Sequence, residues 1–340
     1  MQKTLTQLHD ELINKKLSVE SLVEECKATI TKHEGEVHAL LGLYSDTLVD
    51  SQIKKANEMF ANGTSTVLTG VPIILKDNIL VKGEYATGAS KILEEYVATY
   101  DATVVTRLKE AGAILLGRAN MDEFAMGGST ENSAYGVTKN PIDLTKVAGG
   151  SSGGSAAVVA YGGVPVSLGS DTGGSIRQPA SFCGIVGLKT TYGDTSRYGL
   201  MAMGSSLDQI GPFGTTVEDV EAVYKIISGH DPLDSTSLPN DLRKTAISPL
   251  KKIIGVPASF IARPGIDKEV LENFNVTIEK LKASGHTIKE IEVNQLEKAL
   301  SVYYILMFAE VSSNLARYDG IRYGLSHPGE TSIRSYFESR

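Results

Sequence analysis

Glycines crowd the middle of this chain, between Gly127 and Gly187, and their densest stretch, 149-GGSSGGSAA-157, runs directly into helix-forming residues. Flanking glycines let the backbone around Ser151 and Ser152 take positive φ and approach other groups closely. Ser155, Ala156, Ala157 and Val158 follow as the start of an apolar helix, so both serines fall where a loop feeds a helix N-terminus. Such a position offers unpaired N–H groups and a dipole that favours negative charge. A flexible Gly/Ser linker is the plain alternative, and the apolar helix that follows at once argues against it.

The surroundings of that loop set the fold class. Short β-branched runs, Val71 to Leu75, Ala113 to Leu116 and Val164 to Leu168, alternate with helical stretches such as Ala102 to Glu110 and Ser155 to Tyr161. Strands alternating with helices imply an α/β protein built on a sheet. Ahead of them, residues 1–63 read as a helical segment packed on a core of residues 64–340. Leu5, Leu8, Leu12 and Ile13 recur at helical spacing, and Ser18 is placed to cap a helix carrying Leu22, Val23, Cys26 and Ile30. A third helix runs from about Asp46 to Asn62 and stops at Gly63. No chemistry lies in this segment, which reads as a packing or partner-facing unit. Residues 231–252 are polar and contain Pro232, Pro239 and Pro249, a surface connection. A strand (Lys252 to Val256), a helix (Asp267 to Ser284), a strand (Thr287 to Val293) and a helix from about Gln295 to Arg317 are expected beyond it.

Composition excludes several functions. The formal net charge is −7 and no block of Lys and Arg is present, so this chain does not grip nucleic acid by itself and any RNA contact falls to a partner. Cys26 and Cys183 are too few and too far apart to staple a domain or hold a metal, and they read as reduced thiols. No metal site is expected. Met1 to Glu20 lacks the apolar run of a secretory signal, and no stretch approaches a membrane span. A cytoplasmic protein without membrane contact is the expectation.

A second Gly-Ser turn, 169-GSDTGGSIRQP-179, follows the strand Val164 to Leu168. Adjacent N–H groups from Thr172 to Ser175 can form an oxyanion hole, worth roughly 3–4 kcal/mol per donor. Two such turns suggest a serine nucleophile with a serine relay, and a serine nucleophile needs a base. Each of the six histidines has an easier reading. His9, His33 and His38 belong to the N-terminal helices, His230 and His286 follow glycines at helix ends, and His327 precedes Pro328. Lysine is the other option where burial lowers its pKa. Lys76 ends the apolar run from Val71 and precedes Asp77 and Asn78. Taken alone it reads first as a snorkelling strand-end lysine; beside two serine turns it becomes the candidate base. Gly149 to Gly153 also fits G-x-S-x-G, but that motif needs a late, well-set histidine. Ser51-x-x-Lys54 lies on a polar helix. No P-loop and no strand-borne G-x-G-x-x-G is present, so ATP and NAD binding by this chain are unsupported.

Three segments, 70-GVPIILKDNI-79, 149-GGSSGGSAA-157 and 171-DTGGSIRQPA-180, resemble the amidase signature family of serine hydrolases. The spacings agree as well, with Lys76 lying 75 residues before Ser151 and Ser151 lying 24 before Ser175. Further stretches, 119-ANMDEFAMGGSTENSAYGVTKNP-141, 206-SLDQIGP-212 and 309-AEVSSNLARYDGIRYG-324, are similar to the glutamine-hydrolysing subunits of tRNA-dependent amidotransferases within that family. The resemblance runs from about Leu5 to Gly324. It implies the amidase-signature fold, a large mixed β-sheet covered by helices on both faces. It also implies Ser175 as the nucleophile that forms a glutamyl ester, Ser151, after a cis peptide from Gly150, as proton relay, and neutral Lys76 as the ultimate base. The N–H groups of Thr172, Gly173, Gly174 and Ser175 would form the oxyanion hole. Met126, Gly127, Ser152, Asp171, Arg177 and Tyr304 are expected to contact substrate or to support residues that do. In the family, ammonia passes to a B-type subunit, where ATP with Mg2+ activates glutamyl- or aspartyl-tRNA, and a small C-type subunit wraps the pair. The implied partners are therefore these B- and C-type subunits in a heterotrimer, with tRNA held mainly by the former. The implied substrate is glutamine, and this chain itself binds no cofactor.

Two departures accompany the resemblance. After Leu188-Lys189 the family has a proline and then an arginine, whereas Thr190 and Asp194 stand here in 188-LKTTYGDTSRYGL-200. Family members also continue well past the position of Arg340, with strands and charged groups that hold the α-amino and α-carboxylate groups of glutamine. The chemistry is thus expected here and a complete substrate pocket is not. Two alternatives stand beside the leading reading. One is a stand-alone amidase of the same family acting on another small amide. The other is a catalytically incomplete scaffold or binding paralog, motivated by the altered loop and the ending 332-SIRSYFESR-340.

Overall fold

The computed structural model describes residues 3–239, 241, 252–322 and 324. The chain divides into two compact units, Met1–Asn240 with Ala309–Arg340, and Asp241–Phe308. In chain order the first unit carries α1 (Leu5–Ile13), α2 (Val19–Val37), β1 (Leu40–Leu43), α3 (Asp46–Ala61), β2 (Pro72–Lys76), α4 (Thr103–Glu110) and β3 (Ile114–Ala119). It continues with α5 (Gly153–Ala160), β4 (Val166–Asp171), α6 (Arg177–Phe182), β5 (Val186–Gly187), β6 (Gln209–Gly214) and α7 (Val217–Ile227). The second unit carries β7 (Ile253–Val256), α8 (Ala258–Ile261), α9 (Lys268–Ala283) and β8 (Thr287–Glu290), and α10 (Leu296–Leu315) begins in it and ends in the first. The boundary falls inside the connection 231–252; residues 240 and 242–251 of that connection, His327 and the ending 332–340 lie outside the described residues.

Six strands form one mixed sheet in the order β1-β3-β2-β4-β6-β5. β2 lies parallel between β3 and β4, while β1, β6 and β5 each join antiparallel. Alternation sorts the strand side chains to two faces. Ile74, Ile114, Leu116 and Phe213 pack with α2 and α5 through Val23, Ile30, Ala157 and Val158. Ile73, Leu75, Leu115, Val166, Leu168 and Ile210 pack on the other face with α4 and α7 through Val104, Leu108, Val223 and Ile227. Helices cover both faces, and the continuous apolar run of β2 is what a strand buried on both sides requires. In the second unit β7 and β8 pair in parallel, from Ile253 opposite Thr287 to Val256 opposite Glu290, with α9 between them in sequence.

Local signals place the helix starts. Thr4 and Gln7 form a reciprocal capping box on α1, and the side chains of Ser18 and Thr216 accept the N–H groups of Ser21 and Asp219. Other elements carry weak signals. Leu40–Leu43 contains no β-branched residue, yet β1 pairs with β3 at the sheet edge, with an irregularity between Leu40 and Gly42. The segment before residue 64 therefore adds a strand to its three helices, because tertiary pairing overrides propensity. β6, with Gly211, Pro212 and Gly214, is equally poor strand material and is buried throughout.

Because β2 and β4 are parallel neighbours, their C-terminal ends, Lys76 and Asp171, open at one edge of the sheet. Crevices beyond such ends are the usual ligand sites of α/β sheets. The Gly-rich loop reaches the same edge as α5 packs backbone against backbone. Gly154 N–H donates to Asn120 O at 3.1 Å, and a Cβ at Gly154 would stand 2.2 Å from Ala39 O and 2.5 Å from Asn120 O. Gly154→Ala is expected to lower the unfolding free energy by roughly 1–3 kcal/mol, toward the upper end because the obstacle is backbone. Gly128→Ala, whose Cβ would meet among the described residues only Gln178 Nε2 at 3.8 Å, is expected to stay within about 0.5 kcal/mol. Urea denaturation of the two variants measures the difference.

Candidate active site

Alternation along β2 turns Lys76 to the face of Ile74, which α5 covers. The side chain is wholly buried, so it does not snorkel. Its Nζ lies 2.6 Å from Ser151 Oγ, 2.9 Å from Ser170 Oγ and 3.4 Å from Ser170 O. Burial drives its pKa down to about 7, against the opposing charges of Asp122, Asp171 and Asp208. Near neutral pH about half of the molecules therefore hold Lys76 as a free amine.

Ser151 and Ser152 are fully buried at the head of α5, and the Gly150–Ser151 peptide is cis. The loop is pinned from three sides. Ser151 O accepts the Asp122 N–H (3.2 Å), Ser152 N–H donates to Ser175 O (3.2 Å), and Ser152 Oγ donates to Ser170 O (3.1 Å). From α6, Gln178 Oε1 accepts the Gly150 N–H (2.9 Å) while its Nε2 donates to Gly128 O (2.7 Å). Ser152 thus ties the two serine turns together.

The turn that carries Ser175 is built around Asp171. This buried carboxylate accepts the N–H groups of Gly174 (2.8 Å) and Ile176 (3.1 Å) and a two-pronged bond from Arg177 Nε and Nη2, both at 3.0 Å. Burial alone would push its pKa up; the Arg177 guanidinium and the N–H groups overrule it and hold the carboxyl below its usual range. Gly174 adopts φ +132°, a conformation that favours glycine. The expected set of oxyanion donors needs one correction, because the Gly174 N–H is committed to Asp171. The N–H groups of Thr172, Gly173 and Ser175 make no hydrogen bond among the described residues, and neither does Ser175 Oγ. Thr172 Oγ1 donates to buried Asp208, which also accepts the N–H groups of Met203 (2.9 Å) and Gly204 (3.2 Å). Burial raises the Asp208 pKa.

The other expected residues are placed as follows. Met126 O accepts from Asn132 Nδ2 (3.1 Å), and Gly127 is packed over Asp122 so closely that a Cβ would stand 2.2 Å from its Cγ. Tyr304 belongs to the second unit, where its ring stacks on Phe308. The altered loop is closed by its own contacts: Thr190 Oγ1 lies 3.1 Å from Thr195 Oγ1 and 3.2 Å from Gln209 Oε1, and Asp194 accepts the Tyr224 hydroxyl (2.7 Å). Among the described residues no histidine hydrogen-bonds Lys76, Ser151 or Ser175; His33 stacks on Tyr161 and His38 caps α2. No group of three or more His, Cys, Asp or Glu among them is arranged to hold a metal. Sequence reading does not single out Asn78, Asp122, Ser170, Gln178 or Asp208. Their only signal is a polar side chain inside an apolar or Gly-rich run, and which neighbours satisfy it is a tertiary matter.

The fold and this cluster bring together what a histidine-free serine hydrolase needs: two serine turns and a buried lysine at the open ends of parallel strands. The chain belongs to the amidase family, whose profile matches residues 21–339. It is 49% identical to the A-type subunit of the glutamyl-tRNA(Gln) amidotransferase of Microcystis aeruginosa, over 99% of this chain and 70% of that protein. The crystal structure of the corresponding glutamyl-tRNA(Gln) amidotransferase subunit from Thermotoga maritima superposes with a TM-score of 0.79 at 37% identity, covering 99% of this chain and 69% of that one. The peptide amidase of Stenotrophomonas maltophilia superposes with a TM-score of 0.82 at 25% identity, covering 93% and 67%.

The lowered pKa of Lys76 makes a prediction about stability. In the unfolded chain the group titrates near 10.5, in the fold near 7. Between those values the unfolded state binds more protons, so folding becomes more favourable as pH rises. Lys76→Met removes that dependence. The stability of the native chain relative to Lys76→Met is expected to rise from pH 7 to pH 10, by an amount on the order of 3–5 kcal/mol. A flat difference in chemical denaturation across that range would show that Lys76 titrates normally.

Proposed function

We propose that this chain is the glutamine-hydrolysing subunit of a tRNA-dependent amidotransferase. The 2.6 Å contact between Lys76 Nζ and Ser151 Oγ carries the chemical part of that reading. The identity to A-type subunits of glutamyl-tRNA(Gln) amidotransferases supports glutamine as the amide. Neutral Lys76 takes the proton of Ser151 as Ser151 takes that of Ser175, and Ser175 Oγ attacks the side-chain carboxamide carbon of glutamine. The oxyanion is stabilised by the N–H groups of Thr172, Gly173 and Ser175. Collapse of the tetrahedral intermediate breaks the C–N bond, and the proton returns through Ser151 to the leaving nitrogen, giving ammonia and a glutamyl ester on Ser175. Water, deprotonated by the same relay, hydrolyses the ester to glutamate and restores the hydroxyl. The net reaction is glutamine and water to glutamate and ammonia.

In this reading the ammonia is used by a B-type subunit that holds ATP, Mg2+ and Glu-tRNA or Asp-tRNA, a C-type subunit makes up the heterotrimer, and the complex works in the cytoplasm. Among the described residues no helix is long and apolar enough to cross a membrane. The likeness to a peptide amidase favours a second reading, a stand-alone amidase acting on another small amide. Ser175→Ala is expected to reduce ammonia release from glutamine by at least roughly 10³-fold in the complex with the B- and C-type subunits. Co-purification with those subunits together with this loss supports the first reading. Ammonia release from other amides by the isolated chain, free of any partner, supports the second, and an active Ser175→Ala enzyme sinks both.

A further inference from the structure

We propose that Ser170, fixed by Asn78, is a positioning residue for the base: it directs the lone pair of neutral Lys76 at Ser151 and receives the ammonium when the proton arrives. This rests on the reading of Lys76 as the base.

A neutral amine has two hydrogens and one lone pair, and an ammonium has three hydrogens and none. Lys76 Nζ has three oxygen neighbours, Ser151 Oγ at 2.6 Å, Ser170 Oγ at 2.9 Å and Ser170 O at 3.4 Å. The carbonyl can only accept. When the amine gives its two hydrogens to the oxygens of Ser170, the lone pair is left facing the Ser151 hydroxyl. When Lys76 is protonated, all three oxygens accept, and the only change is the side of the 2.6 Å contact on which the proton lies. The cage therefore serves both protonation states without rearrangement, which is the preorganisation a proton relay needs.

Asn78 keeps Ser170 in that role. Its Nδ2 donates to Ser170 Oγ at 3.0 Å, and its buried Oδ1 has no hydrogen-bond partner among the described residues. With the amide turned over, Oδ1 would accept the Ser170 hydroxyl proton instead. In either orientation Asn78 fixes Ser170 Oγ and leaves it a lone pair for Lys76. Ser170, Asn78 and Lys76 are all essentially sealed from solvent, so water does not stand in readily for a missing hydroxyl. The charges that act on Lys76 come from Asp122 after β3, Asp171 at the end of β4 and Asp208 before β6. Asp171 is paired with Arg177, and directly after β2 Asp77 is paired with Arg118. None of these is altered by changing Ser170, so a shift between variants reports the hydroxyl.

The test uses the full chain and phenylmethanesulfonyl fluoride, which needs neither glutamine nor partner subunits. Ser175 Oγ forms a bond to sulfur, the S–F bond breaks and fluoride leaves, and the serine proton passes through Ser151 to Lys76. The labelling rate of the native chain is expected to rise with pH about a midpoint near 7. Ser170→Ala deprives the ammonium of an acceptor, so the midpoint is expected to fall by about one pH unit and the plateau rate about 3–10-fold as the base weakens. Ser170→Thr, which retains a hydroxyl, is expected to restore the native midpoint. Ser167→Ala removes another buried hydroxyl of β4, one that donates to Ser155 O at 2.7 Å; it is expected to cost stability and leave the midpoint in place. Asn78→Ala is expected to shift the midpoint in the same direction by less, and it carries the test if Ser170→Ala does not fold. An unshifted or raised midpoint in the folded variants overturns the role of Ser170 while leaving the base assignment standing. Equal labelling of Ser175→Ala overturns the functional reading itself.

Discussion

Lys76 ends a strand of the sheet that is buried along its whole length, and helices on both faces leave its terminal side chain nowhere to reach water. A lysine so placed must lose its proton or find acceptors, and here it does both in part. Burial brings its pKa to about 7, and two serines take its hydrogens. The order of the sheet follows from the same requirement. β3 and β4 flank β2 in parallel, which closes the sides of the lysine and brings the ends of three strands to one edge.

The two serine turns are then held relative to that lysine by polar groups that face inward. Asp171 gathers the Gly174 and Ile176 N–H groups and is braced by Arg177, so the turn bearing Ser175 is set by one carboxylate. The loop bearing Ser151 is set by backbone: Ser152 N–H meets Ser175 O, and Asp122 N–H meets Ser151 O. Buried polar networks of this kind hold a geometry well only when their members are satisfied. Among the described residues three buried side-chain atoms depart from that rule: Oδ1 of Asn78 and Oδ2 of Asp122 lie next to the cluster, and Nδ1 of His9 lies in α1. At Asn78 and Asp122, incomplete satisfaction falls where function requires an arrangement that stability alone would not choose.

Much of this is legible in the chain itself. The apolar run ending at Lys76, the glycines around Ser151 and Ser152 and the turn from Asp171 to Ser175 point to the serines and the lysine without any fold in view. β2, β3, β4, α4, α5 and α9 fall close to where hydrophobic pattern and turn residues put them. Those signals are local, because side-chain period, capping and glycine's freedom act over a few residues. The strands at Leu40–Leu43 and Gln209–Gly214 are not legible, since glycine, proline and leucine there make strand only when a neighbour offers a ladder. The fate of the Gly174 N–H is not legible either, because the choice between an oxyanion and Asp171 depends on where a carboxylate three residues away points. So the sequence by itself determined which residues could carry the chemistry and that strands and helices would alternate around them. Only the tertiary structure decided that Ser151, Ser170 and Asn78 would meet at Lys76, because hydrogen bonds between residues up to 94 positions apart depend on strand order and register, which no local pattern encodes.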